Sequence, residues 1–383
     1  MCTLNRKVVF SVVLMLLIIC TMKDAYTSTA NLNEVYAIAI DSHNPKTIYI
    51  TMLQGLYKSI DGGENWNLAS AGLGAMLDGI IAIDPDNSSI LYSEKSDNIL
   101  KSSDGGLNWK MTKDGGAWIE DSEENDVILC DPEETISVLG PNFISVDPQN
   151  SSILYVGTNS GICKSTDEGV HWKFTSNGLK DAPVNSIAIV PQKSLVLYAG
   201  TENGIYKSID GGENWEAINE GLSESKIRDL VIDPVNPEII YALTMYWGWL
   251  YKSINGGATW QRQNIQYRVI EKDEEPEDAV IRSVAMAQKP NTIYVGTERG
   301  VYRSTNGGRT WQAPKRIRAG QLDDVNEIMD INVIAVDPKN SKTVYAGNLH
   351  GGMYKSTDDG KTWRAINKGL PIPKNRYAFE LEE

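Results

Sequence analysis

Gly55-Leu56-Tyr57-Lys58-Ser59-Ile60-Asp61-Gly62-Gly63-Glu64-Asn65-Trp66 recurs at residues 204–215 with one change, Ile205 for Leu56. Looser copies span residues 102–109, 165–172, 253–260, 304–311 and 356–363, and all seven share Ser-x-Asp/Asn-x-Gly-x-x-Trp. Repetition of this kind outranks any reading of single residues, because each copy marks one supersecondary unit. The serines fall at 59, 102, 165, 208, 253, 304 and 356, so successive spacings are 43, 63, 43, 45, 51 and 52 residues. A unit of 43 residues suits a four-stranded blade. The chain therefore reads as all-β: a single seven-bladed β-propeller with four antiparallel strands per blade. Length alone would suggest two domains, and the repeats override it.

Each position in the repeat has a physical task. The aromatic before the basic residue (Tyr57, Tyr206, Tyr251, Tyr302, Tyr354) ends a strand and faces inward, and Lys58 and its equivalents alternate outward. Asp61, or Asn255 and Asn306 in its place, accepts bonds from turn amides. The first glycine is dispensable, since Glu168 and Asp359 replace it. The second is Gly63, Gly106, Gly169, Gly212, Gly257, Gly308 and Gly360 without exception, which predicts φ > 0 there. Trp66 and its equivalents open the next strand and bury a large ring.

The pattern resembles the Asp-box, or BNR, repeat of sialidase-type propellers, over roughly residues 35 to 367. The resemblance implies turns of this kind between the third and fourth strand of each blade. It implies a fold much more than a function.

Residues 1–30 read as a targeting segment: Arg6 and Lys7 precede an apolar run over residues 8–20, and Ser28-Thr29-Ala30 offers small residues for cleavage. The run is short for a membrane span. Leu17-Ile18-Ile19-Cys20 leaves an uncleaved or lipid anchor as the alternative to export. The propeller is expected over 31–370, with an acidic insertion at about 110–141 and a tail at 371–383. Formal net charge is −14, and loss of residues 1–30, with three basic residues and one acid, makes it more negative. An acidic chain argues against nucleic acid and anionic membrane as partners. Of the four cysteines, Cys130 and Cys163 lie in the propeller. Cys163 takes the place of the strand tyrosine and reads as a small buried hydrophobe, with a Cys130–Cys163 disulfide as the alternative.

In the last unit, residues 333–336, 343–347, 353–356 and 363–366 read as successive strands, and residues 35–68 repeat the order, so each unit is complete. The aspartates after the first strand (Asp41, Asp84, Asp147, Asp233, Asp337) read as turn residues rather than metal ligands. With strands running from the centre outward, the repeated turns share a face with the first-to-second loops. The opposite face collects the second-to-third loops and the links between blades, where loops vary on a rigid scaffold. The long acidic link there carries Asp114, Glu120, Asp121, Glu123, Glu124, Asp126, Asp131, Glu133 and Glu134, and expansions near residues 261–279 and 312–330 join it. Seven of the ten tryptophans belong to the repeats; the others, Trp118, Trp247 and Trp249, all fall on this face. With Tyr246 they are the candidate ligand surface, and Glu202, Glu298, Arg299 and His350 are its candidate polar neighbours. The alternative is that the rings pad the loops against one another.

Catalytic constellations are missing. His43, His171 and His350 sit in different loops, and neither a zinc spacing nor a nucleophile elbow nor a phosphate-binding loop occurs. No metal and no cofactor are expected. Sialidases, which the repeats resemble, hold the substrate carboxylate with three arginines from separate blades; here none occurs between Arg6 and Arg228, so sialidase activity is not expected. Xyloglucanases are similar in their Asp-Pro turns and Tyr-x-Gly-Thr strands. That likeness implies two tandem propellers and an aspartate in the second-to-third loop of a first blade, where this chain has Thr51-Met52-Leu53-Gln54-Gly55. Glu94, Asp97, Glu202 and Glu298 occupy such loops elsewhere, and no pair stands out. The chain also resembles sortilin-type propellers and the photosystem II assembly factor, which is thought to use a basic patch. The reading is an exported, monomeric, non-catalytic module binding a glycan or an extracytoplasmic protein. A xyloglucanase-like glycoside hydrolase is the alternative, and an assembly factor the second.

Overall fold

The computed structural model describes residues 33–70, 79–95, 98–112, 141–180, 182–265, 279–313 and 330–372. Residues 1–32, the long links 113–140, 266–278 and 314–329, Trp118, Asp97 and residues 373–383 lie outside these residues. Seven antiparallel sheets form, each with its strands hydrogen-bonded in chain order. In blade four the strands are Val184–Ile189, Leu197–Thr201, Gly204–Ser208 and Glu216–Ala217. In blade six the fourth strand shrinks to one bridge, Arg303 to Gln312. No helix occurs among the described residues.

First strands of neighbouring blades pack on one another around the axis. The ring closes between the last blade and the first, as seven complete units require. Asn332 donates to the Val35 carbonyl at 3.1 Å, and one apolar cluster joins Val35, Ile50 and Trp66 to Tyr345, Met353 and Leu370.

The repeated turn is closed by its own side chains. In blade one the Gly63 amide donates to Ser59 Oγ (2.8 Å) and the Asn65 amide to Asp61 Oδ1 (3.0 Å). Bonds from Asn65, side chain and then backbone, hold the Asp61 carboxyl down at about 2. The aspartates after the first strand do the expected turn work: Asp41 Oδ1 accepts from the amides of His43 and Asn44, and Asp147, Asp233 and Asp337 act alike. Both glycine positions are left-handed. The first has φ of 76° at Gly62 and 75° at Gly211, and 62° and 66° where Glu168 and Asp359 stand. The second has φ of 92° at Gly63 and 90° at Gly212. The first lies at the edge of the small left-handed region open to side chains; the second lies beyond it.

The strand lysines behave differently from the simple outward alternation. They leave their own sheet but enter the next blade instead of solvent, because blades stack face to face. Lys58 donates to the Gly105 carbonyl (2.9 Å), Lys164 to Gly211 (2.8 Å), Lys252 to Gly307 (2.7 Å) and Lys355 to Gly62 (2.8 Å). Each acceptor is the first glycine of the following turn. Where that glycine is replaced, the new acid takes the cation: Lys101 pairs with Glu168 at 2.5 Å and Arg303 with Asp359 at 3.3 Å.

Cys163 is fully buried and disulfide-bonded, which corrects its reading as a small hydrophobe alone. Cys2, Cys20 and Cys130 lie outside the described residues.

Gly212→Ala places a Cβ at a φ of 90° and is expected to cost at least ~1 kcal/mol in denaturant unfolding. Gly211→Asp, at a φ that side chains tolerate and opposite Lys164, should cost less.

Candidate functional site

The first strand of six blades carries a β-bulge at its second residue. Pairing in blade five runs Ile227 with Thr244 and then Asp229 with Leu243, which leaves Arg228 out of the ladder. The same shift releases Tyr36, Asn142, Asn185, Arg282 and Asn332. A bulged residue is free to turn its side chain away from the sheet. All six line one central cavity of about 730 Å³, together with Glu94, Asp229 and Met245. First strands begin on the face of the second-to-third loops, so this ring forms the channel mouth on that face.

Three members of the ring bond to neighbouring blades. Asn185 donates to the Ile227 carbonyl at 2.8 Å, and Asn332 donates to Glu34 Oε1 at 2.9 Å. Arg282 Nη2 meets Asp330 Oδ1 at 3.3 Å, and His350 Nε2 meets Asp330 Oδ2 at 3.0 Å. One layer deeper, Asp229 accepts from Ser186 Oγ (3.1 Å) and the Leu230 amide (2.8 Å). Protein surrounds these groups, and their acidities respond. Burial raises Glu34 against the pull of Arg228, Arg282 and His350. Burial also raises Asp229 to about 6 and lowers Arg228.

Beside the mouth stands the loop of blade five. The Met245 amide bonds the Lys226 carbonyl (2.8 Å), and Gly248, at φ 59°, accepts from the Ile281 amide of blade six (3.3 Å). The loop is thus tied at both ends. Tyr246 and Trp247 are 64% and 61% exposed. Trp247 stacks on Trp249 with centroids 5.9 Å apart and planes at 19°. Trp249 packs on the core of blades four and five, with the Arg262 guanidinium 3.9 Å from its ring centre. Lys226 bridges Tyr246 Oη (3.1 Å) and Glu202 (3.0 Å), and these two bonds hold its ammonium above the ordinary lysine value.

The candidates from sequence thus fall into two groups. Tyr246, Trp247, Trp249 and Glu202 gather on blades four and five. Glu298 and His350 meet around Asp330 on blades six and seven: the Asp330 amide donates to the Glu298 carbonyl at 3.0 Å. Glu298, half-buried, accepts from the Val280 amide and is raised, chiefly by burial. Arg299 lies exposed at its loop tip, its amide on Thr297 Oγ1. Sequence reasoning missed Arg228, Arg282 and Asp330. The recurring apolar-then-polar pairs Val184-Asn185, Ile227-Arg228, Ile281-Arg282 and Ile331-Asn332 were the available signal.

The sequence model of one family, the DUF6242 beta propeller domain, matches residues 144–380. A probable oligoxyloglucan-reducing end-specific xyloglucanase of Neosartorya fischeri is 30% identical over 86 residues, which cover 22% of this chain and 10% of that protein. Among solved structures, the GH74 xyloglucanase from Xanthomonas campestris aligns with a TM-score of 0.65 at 15% identity, over 89% of this chain and 55% of that one. YCF48 from Cyanidioschyzon merolae aligns with a TM-score of 0.53 at 15% identity, over 85% and 95%. At such identities the structural likenesses show the fold, and the chain spans only part of the two xyloglucanases.

The acidity of Asp229 gives a test of the mouth. A carboxyl raised to about 6 from 3.8 binds more protons folded than unfolded, so stability falls as pH rises through that window and stays lowered at neutrality. Asp229→Asn keeps an acceptor for Ser186 and Leu230 without the charge. It should stabilise the fold by roughly 1–3 kcal/mol near pH 7, with the gain vanishing near pH 4 in denaturant titrations.

Proposed function

We propose, for a chain that belongs to the DUF6242 beta propeller domain family, that it is an exported, non-catalytic binding propeller. Its ligand sits on the face of the second-to-third loops and contacts Tyr246, Trp247 and Trp249, with Glu202, Glu298, Arg299 and His350 as polar neighbours. The observation that carries this reading is the open face of Trp247. Padding would be covered, whereas this ring stands 61% exposed on a loop fixed at both ends. A flat, preorganised aromatic face suits the apolar face of a sugar ring. The ligand class is therefore a glycan, with an extracytoplasmic protein as the other partner type. Neither nucleic acid nor membrane insertion after leader cleavage belongs to the reading.

Export is supported by the apolar segment near the N-terminus and by the disulfide at Cys163, which persists in oxidising compartments. The repeated turn supports placement among the BNR-type propellers.

A second reading is hydrolysis of a xyloglucan-like glycan. Its motive is the raised Glu298 beside the mouth, a property of general acids, together with the names of the two similar xyloglucanases.

A glycan array followed by a hydrolysis assay on each hit separates the two. Binding without turnover is expected, and turnover lost in Glu298→Gln would establish the second reading. Trp247→Ala should leave the melting temperature unchanged and weaken glycan binding by ~1–3 kcal/mol, roughly tenfold or more. Unchanged binding would make the ring padding.

A further inference from the structure

The two arginines at the channel mouth keep hydrogen-bond donors that no acceptor among the described residues takes. Asn185 and Asn332 already donate to neighbouring blades. Arg228 is exposed in the channel and donates no hydrogen bond among the described residues. Arg282 uses Nη2 on Asp330, while its Nη1 is buried without an acceptor. Of the acids nearby, Asp330 is supplied by Arg282 and His350, Glu34 by Asn332 and Asp229 by Ser186 and Leu230, and Glu94 lines the same cavity. Two guanidinium groups, released by identical bulges on adjacent blades, thus share one cavity, and that of Arg228 is open to it.

Resting on the glycan-binding reading, we infer that Arg228 and Arg282 form a carboxylate subsite for a uronic-acid-bearing glycan, whose neighbouring sugar stacks on Trp247. A carboxylate is the acceptor that fits, because its two oxygens match the planar fork of a guanidinium. The sugar source follows from the loop: Met245 lines the same cavity, and Trp247 lies two residues further along. An aromatic platform beside a carboxylate receptor fits a chain that alternates a flat apolar face with an acid. The net charge of −14 repels polyanions in general, so a local arginine pair is what admits an acidic ligand here.

Titration calorimetry of the full chain tests this with a short oligogalacturonate and its fully methyl-esterified counterpart. The acid should bind at least ~tenfold more tightly than the ester. Arg228→Gln and Arg282→Gln, each with an unchanged melting temperature, should weaken acid binding by about tenfold to hundredfold and leave ester binding unaltered. Arg228→Lys should recover only part of the loss. If Arg282→Gln disturbs folding through Asp330, Arg228→Gln alone decides. Equal binding of acid and ester, indifference to Arg228→Gln, or preference for a peptide C-terminal carboxylate would each overturn the inference. Failure of the parent reading looks different: Trp247→Ala would then leave the binding of both oligomers unchanged.

Discussion

The structure depends on a stitch between consecutive blades at the repeated turn. A four-stranded blade cannot bury both of its faces alone, so its stability is a nearest-neighbour property. Three residues of the repeat carry the stitch. The strand lysine reaches forward to the first glycine carbonyl of the next turn, over a second-strand tyrosine such as Tyr49 or Tyr155. That tyrosine's hydroxyl often donates to the same carbonyl, as Tyr155 does to Gly211 at 3.0 Å. The turn tryptophan reaches back: Trp215 Nε1 donates to the Thr175 carbonyl (2.9 Å), Trp260 to Ile218 (2.8 Å) and Trp66 to Ile366 (2.7 Å). The last of these closes the ring across the two ends of the described chain.

This arrangement divides the molecule by task. The turn face is occupied by backbone-directed bonds that position blades. The opposite face carries fewer such bonds, and there the bulges turn six side chains into the channel and the blade-five loop holds Tyr246 and Trp247 exposed. The scaffold fixes the site through the same strands that build it: the bond from Asn185 to the Ile227 carbonyl both joins blades four and five and sets the backbone beside Arg228.

Much of the fold was legible because the sequence states it seven times. The invariant second glycine, the turn aspartate and the buried strand aromatics could each be read by comparing copies. The lysine stitch was not legible in one copy, since alternation gives a direction but not the neighbour it meets. The exceptions at Glu168 and Asp359 looked like mere tolerance and are acceptors for Lys101 and Arg303. Of the site, the exposure of Trp247 could not be read from composition, nor could the packing of Trp249 on the core of blades four and five. The ring of bulged residues was hidden for a different reason. A bulge is a shift of register, so it leaves no mark on hydrophobic periodicity beyond one polar residue following an apolar one.

The account places ligand recognition at the channel mouth and not on the turn face. A crystal structure of the protein soaked with a short oligogalacturonate tests this most directly. The account predicts a sugar ring over Trp247 and a carboxylate within about 2.7–3.2 Å of the Arg228 guanidinium. Sugar bound instead among the turns near Trp66 or Trp215, with the mouth left unaltered, would contradict it.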